Sequence, residues 1–202
     1  LFLSTLLAPL SRALPVTEAV AFVMQPASDK GEAGIEELYR QTVGVLNFTE
    51  VPQEQFGGVL AFNVMPDSPA EGIPASEELV AREAAAILGR NFPLTLRLLR
   101  APVFHCHAFY VWVRFAQSIE AGMVRRALAF EKRLDIVEGK AAPTPAQLAG
   151  AEGTHLQIRP DAAVPHSAWL WGAPANLTDG RARSAVLLAE ALQASGAWAR
   201  KS

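Results

Sequence analysis

The sequence predicts an α+β domain: a mixed β-sheet with helices packed on one face. Three observations lead there. Strand-like apolar segments follow one another directly, above all within Leu94 to Phe115 and within Thr154 to Trp171. Amphipathic helical stretches interleave with them, but without a strict βαβ rhythm. No G-x-G-x-x-G follows a strand, so the dinucleotide fingerprint of a doubly wound parallel fold is missing. The 202 residues, half of them hydrophobic, suffice for one sizeable core with appendages.

The elements follow in order. Phe2 to Leu14 has leucines at helical spacing, with Pro15 as a stop. Ala19 to Met24 suits a buried strand, and Gln25 to Gly31 is a polar loop. From Glu32 to Val45, Ile35, Leu38, Thr42 and Val45 form one helix face, with Glu36 and Glu37 on the solvent side. Asn47 to Gly58 is a loop and Val59 to Val64 an apolar strand. After a Pro/Asp/Gly-rich loop, Ser76 is placed as N-cap of a helix from Glu77 to Leu88, with Glu77 and Glu78 in its first turn. Leu94 to Phe115 is read as a strand pair bent at Pro102. A helix from Ile119 to Arg133 and a short strand from Leu134 to Val137 come next. Ala141 to Gly150 is a connection. Strands at Thr154 to Arg159 and Ser167 to Trp171 precede a last helix, Asp179 to Gln193. Residues 1–172 are assigned to the sheet domain and 173–202 to a closing helical segment.

Composition narrows the function. The net charge is −2 and no basic block occurs, so nucleic acid is not an expected partner. Leu1 to Leu10 lacks a preceding basic region and is too short to span a bilayer, so no membrane partner is expected either. It reads as an interior segment, which makes the chain a fragment. A single cysteine excludes an internal disulfide framework and fits a cytoplasmic location.

Chemistry concentrates at Arg100-Ala101-Pro102-Val103-Phe104-His105-Cys106-His107. A guanidinium and an imidazole at one strand junction make an anion clamp with an acid/base beside it. The bland alternative is a basic strand end facing water. His105 and His107 would share one strand face and Cys106 the other. No second ligand pair stands at metal spacing, so no metal site is expected.

This segment resembles the R-x-P-V-x-x-x-H stretch of aspartate-semialdehyde dehydrogenases. Gln25-Pro26-Ala27-Ser28-Asp29-Lys30-Gly31 is similar to that family's Q-A-x-S-G-x-G loop, and Ala61-Phe62-Asn63-Val64-Met65-Pro66 to its A-F-N-x-x-P. Asn176-Leu177 with Gly180 is similar to the D-N-L-x-x-G that opens its closing helix. The resemblance covers almost the whole chain in one order. It implies the C-terminal catalytic and dimerisation domain of a semialdehyde dehydrogenase, the type also seen in glyceraldehyde-3-phosphate dehydrogenase, and hence a homodimer. It implies His107 as catalytic acid/base, Arg100 as anchor of a substrate carboxylate and Gln25 as the group that orients the carbonyl. Ser28, Asp29 and Asn176 stand at positions that touch NADP, and the closing helix packs on the NADP-binding domain. An ungapped count places the family's nucleophilic cysteine just before Leu1, so Cys106 is not the nucleophile. Without the nucleophile and the cofactor domain, this chain alone is expected neither to bind NADP nor to turn over.

Three positions depart from the family pattern. Asp29 replaces a glycine of the cofactor loop, where a carboxylate repels a phosphate. Ser76 and Leu79 stand where a Glu and a Lys bind the substrate amino group and phosphate. Two functions therefore stay open. One is a paralogue of the kind called Usg, keeping the fold and the dimer with an altered site. The other is a piece of an active NADP-dependent aspartate-semialdehyde dehydrogenase, acting on a small aldehyde through a cysteine acyl-enzyme. The three departures favour the first.

Overall fold

The computed structural model describes residues 2–67, 76–89, 92–139, 141–174 and 181–196. Helix α1 (Phe2–Ala13) leads into strand β1 (Val16–Gln25), a 3-10 turn (Ala27–Lys30) and α2 (Gly31–Leu46). Then come β2 (Met65–Pro66), α3 (Ser76–Leu88), β3 (Leu94–Arg100) and β4 (Ala108–Phe115). The chain continues through α4 (Ala121–Leu128), β5 (Leu134–Ile136), the short α5 (Pro145–Leu148), β6 (Thr154–Pro160), β7 (Ser167–Pro174) and α6 (Arg181–Ala194). The seven strands form one mixed sheet in the order β2-β3-β1-β4-β7-β6-β5. β1 runs parallel to β3 and β5 to β6; the other neighbours are antiparallel.

Alternation along the strands sorts the two sheet faces. Ala19, Ala21 and Val23 of β1, Leu96 and Leu98 of β3, and Val111 and Val113 of β4 point to one side. There α1 lays down the stripe Leu3, Leu6, Leu7 and Leu10, and α4 adds Val124 and Leu128. Burying one leucine is worth about 1.5–3 kcal/mol, so this stripe holds α1 to the sheet. Val80 and Leu88 of α3 pack at the margin of the same core. One position in it has no slack. Gly172 faces Phe109 across β4 and β7, and a Cβ there would collide with the Phe109 ring.

The other face carries aromatic rings that no helix covers among the described residues. Trp112 and Trp169 are direct partners across β4 and β7. Both indole N–H groups donate to Asp161 Oδ2, at 3.0 and 2.9 Å. Tyr110 meets Trp169 edge-on at 5.4 Å, and the Arg114 guanidinium lies 5.0 Å from the Trp112 ring centre. Phe22 and Tyr110 remain more than one-third exposed. Asp161 is held below the usual aspartate range, first by the Ala163 N–H and then by both indoles and the Val164 N–H, against the opposing effect of desolvation.

The sheet and its helical layer match the sequence expectation, but several elements differ. Val59 to Val64 is not a strand. Leu60 and Ala61 direct their N–H groups at the Gln41 side chain, Asn63 N–H closes a turn on the Leu60 carbonyl, and Phe62 sits at φ 60°. The Leu94 to Phe115 strands do not pair with each other, because β1 lies between them. His105 and His107 share no strand face: β4 begins only at Ala108, and Cys106 adopts φ 66°. Ser76 is the first residue of α3 rather than its cap. The helix expected to reach Arg133 ends at Leu128, beyond which Phe130 is 91% exposed and no inward apolar position continues the stripe. The Ala141 to Gly150 connection contains α5.

Gly172→Ala is expected to cost about 1–3 kcal/mol through overpacking against Phe109, read as a lower urea midpoint. An unchanged midpoint would remove this contact from the core. The depressed Asp161 makes a second expectation. A group with a lowered native pKa stabilises above its unfolded value, and that contribution disappears as pH falls through the native one. Tryptophan fluorescence should therefore change in acid below the range where a free aspartate titrates, and Asp161→Asn should remove that step.

Candidate functional site

The site is assembled by the strand order. β1 and β3 are parallel and in register, with Gln25 opposite Arg100 at their C-terminal ends. β4 starts where Ala108 pairs with Met24. Residues 101–107 must therefore pass over the end of β1. The Ala101 N–H donates to the Gln25 carbonyl at 3.1 Å, and Ala27 and Ser28 donate to the Val103 and Phe104 carbonyls at 2.8 and 3.0 Å. This crossing brings Gln25, Arg100 and His107 to one end of the sheet.

Arg100 is already engaged. Its Nε and Nη2 donate to Asp67 Oδ1 at 3.2 and 2.8 Å, and Nη1 donates to the Phe56 carbonyl at 3.1 Å. Both side chains of the ion pair are largely buried. Phe56 is positioned in turn by α2. The buried Glu37 carboxylate accepts the N–H groups of Gln55 and Phe56, the closest at 2.9 Å. Four residues further along α2, the fully buried Gln41 donates to the Pro52 and Gly58 carbonyls and accepts from Leu60 and Ala61. Two polar side chains one helical turn apart thus replace a strand ladder for this loop. Glu37, read from the sequence as solvent-facing, is 4% exposed.

His107 is also paired. Its Nε2 lies 2.9 Å from Asp29 Oδ2. The carboxylate accepts, so Nε2 carries the proton. Phe2 flanks the imidazole at 6.4 Å and stacks on Phe109 at 4.7 Å. Asp29 is delivered by the 3-10 turn, whose close approach to α2 needs Gly34: a Cβ there would strike the Ala27 carbonyl. A cavity of about 190 Å³ opens among Gln25, Asp29, Lys30, Asp67, Ser76 and Arg100.

The remaining candidates sit as follows. Ser28 contributes its backbone N–H to the crossing, and Asn176 lies outside the described residues. Leu79 is 42% exposed and offers no charge. Glu77 does not turn to the cavity; it accepts the Leu98 N–H at 2.8 Å and meets Arg97 at 3.3 Å, covering β3. Cys106 is buried with Leu148 and Ala173, and its thiol donates to the Leu148 carbonyl at 3.4 Å. Among the described residues no three His, Cys, Asp or Glu side chains converge as metal ligands.

Known proteins with this arrangement identify its lineage. A family model described as semialdehyde dehydrogenase, dimerisation domain, matches residues 7–178. The chain belongs to the semialdehyde dehydrogenase dimerisation-domain family. An aspartate-semialdehyde dehydrogenase of Rickettsia conorii is 29% identical over 94% of this chain and 58% of its own length. A USG-1 protein homolog of Pseudomonas aeruginosa is 31% identical, with the same two coverages. The crystal structure of aspartate semialdehyde dehydrogenase II from Vibrio cholerae superposes with a TM-score of 0.85 at 27% identity, over 94% of this chain and 58% of that one. A Candida albicans aspartate semialdehyde dehydrogenase solved with NADP shares the fold, with a TM-score of 0.67 at 17% identity over 94% of this chain and 55% of that one. This chain thus spans less than three-fifths of the length of these relatives. Like them it keeps a mixed sheet with a helical layer. Among the described residues no helix is long and apolar enough to cross a membrane.

Sequence reasoning missed Glu37, Gln41 and Asp67. The first two had a signal, since polar residues at i and i+4 beside an apolar stripe can serve a buried loop. Asp67 had none. Glu37→Leu should strand the buried Phe56 N–H and cost about 1–3 kcal/mol of stability, measured by urea unfolding. A loss within error of zero would show that the carboxylate does not hold the loop.

Proposed function

We propose that this chain supplies the dimer interface and the substrate pocket of a semialdehyde-dehydrogenase-type protein whose site has moved away from aspartyl-phosphate chemistry, as in a Usg-type paralogue. The observation that carries this reading is the 2.9 Å pair between His107 Nε2 and Asp29. The acid/base candidate is bound by the very residue that departs from the family's glycine loop. Leu79 adds to it, because an exposed leucine cannot hold a phosphate. The loop does not fit NADP in the family manner: Asp29 brings negative charge and a side chain to the place where a phosphate would need neither. Ser28 and Asp29 are therefore not assigned a cofactor contact.

The homodimer is part of the proposal. Among the described residues no helix covers the aromatic face of β1, β4 and β7, and this face holds an apolar groove of about 560 Å³ bounded by Phe22, Met24, Leu99, Tyr110 and Trp169. Self-association through this face buries rings that otherwise stand in water. Sedimentation at micromolar concentration should give a dimer, and Trp169→Glu should give monomer with the same fold. A monomeric parent would count against this use of the sheet.

One observation favours a second reading, an active dehydrogenase. Gln25, Arg100 and His107 converge at one sheet end, as that chemistry requires. NADP reduction by the intact protein with aspartate semialdehyde and phosphate separates the two. The paralogue reading expects no turnover above background. An active enzyme would instead turn over, and His107→Ala would lower its rate about 10²–10⁴-fold, as loss of a general acid/base does.

A further inference from the structure

We propose that Asp67 closes Arg100 to anions, so that this pocket takes a small uncharged polar ligand, such as an aldehyde or amide with no carboxylate or phosphate. The inference rests on the reading that the site has left aspartyl-phosphate chemistry, and it names the ligand class that follows. A guanidinium has five N–H donors and binds a carboxylate best through two parallel ones. In Arg100 three of the five are used, Nε and Nη2 on Asp67 Oδ1 and Nη1 on the Phe56 carbonyl, and the two that remain, one on each Nη, lie beside the Asp67 charge. A ligand carboxylate arriving at the same guanidinium would meet the Asp67 charge at close range, inside a largely buried setting where screening is weak.

Among the described residues, the other charges at or beside the cavity do not restore an anion site. His107 faces Asp29 at 2.9 Å. Lys30 is exposed at the rim, where a mobile ammonium binds anions feebly. Leu79 brings no charge. Among the described residues, Gln25 and Ser76 add uncharged polar side chains to the lining, and its two carboxylates, Asp29 and Asp67, are hydrogen-bonded to His107 and Arg100. Such a lining hydrogen-bonds a carbonyl, amide or hydroxyl without a net field that selects an anion.

The test compares succinate with succinamide, its uncharged counterpart, by isothermal titration on the intact protein. Succinamide is expected to bind the wild type at least as tightly as succinate. Asp67→Asn and Asp67→Ser, each checked by thermal melting, should bind succinate at least about tenfold tighter, the scale of one charged hydrogen bond. Adding Arg100→Gln should abolish that gain. Tighter succinate than succinamide in the wild type overturns the proposal. A folded Asp67 variant with no gain overturns it as well. Binding is read here rather than turnover: a protein without turnover that still binds succinate more tightly than succinamide would overturn this inference and leave the earlier functional reading standing.

Discussion

β1 lies between β3 and β4, and much of the site follows from that placement. The chain leaves β3 at Arg100 and must cross the end of β1 before it enters β4 at Ala108. The crossing is pinned by the Gln25 carbonyl and by the N–H groups of Ala27 and Ser28. These bonds satisfy backbone groups that a sheet end would otherwise leave to water. They also fix where the 3-10 turn sits, and through it where Asp29 meets His107. Gln25 and Arg100 thus take their positions from the strand register, and Asp29 and His107 take theirs from segments pinned to the sheet end.

The charged groups at that sheet end are arranged in pairs. Arg100 with Asp67 and His107 with Asp29 each set an N–H donor against a carboxylate within 2.9 Å. Burying a lone guanidinium costs several kcal/mol, whereas a paired and hydrogen-bonded one is tolerated. Asp67 therefore has a structural reason to be present. Its consequence is chemical: a paired cation is a weaker recruiter of anionic ligands than a free one. The same residues can thus support the fold while withdrawing from the chemistry that their family position suggests.

Much of the fold was legible in the sequence, for reasons that differ by element. The α1 leucines and the alternation in β4 declare their periods directly, because each buries one stripe or one face. Val59 to Val64 misled because an apolar run looks the same whether a neighbouring strand or a buried Gln41 receives its N–H groups. Cys106 was read as part of a strand because nothing local announces a positive φ at a cysteine. The convergence of Gln25, Arg100 and His107 came from motif resemblance rather than from periodicity. Asp67 and Glu37 lie outside those motifs, and their partners stand 33 and 18 residues away along the chain, so only the folded structure brings them together.

The central claim is that the acid/base candidate is held by the carboxylate of Asp29. The most direct measurement is a long-range ¹H–¹⁵N spectrum of the histidine rings at neutral pH, in the wild type and in Asp29→Ala. The account predicts that Nε2 of His107 carries the proton in the wild type, with its resonance shifted by the hydrogen bond, and that this signature is lost in the variant. An Nδ1-protonated ring in the wild type, or identical His107 resonances in both proteins, would contradict it.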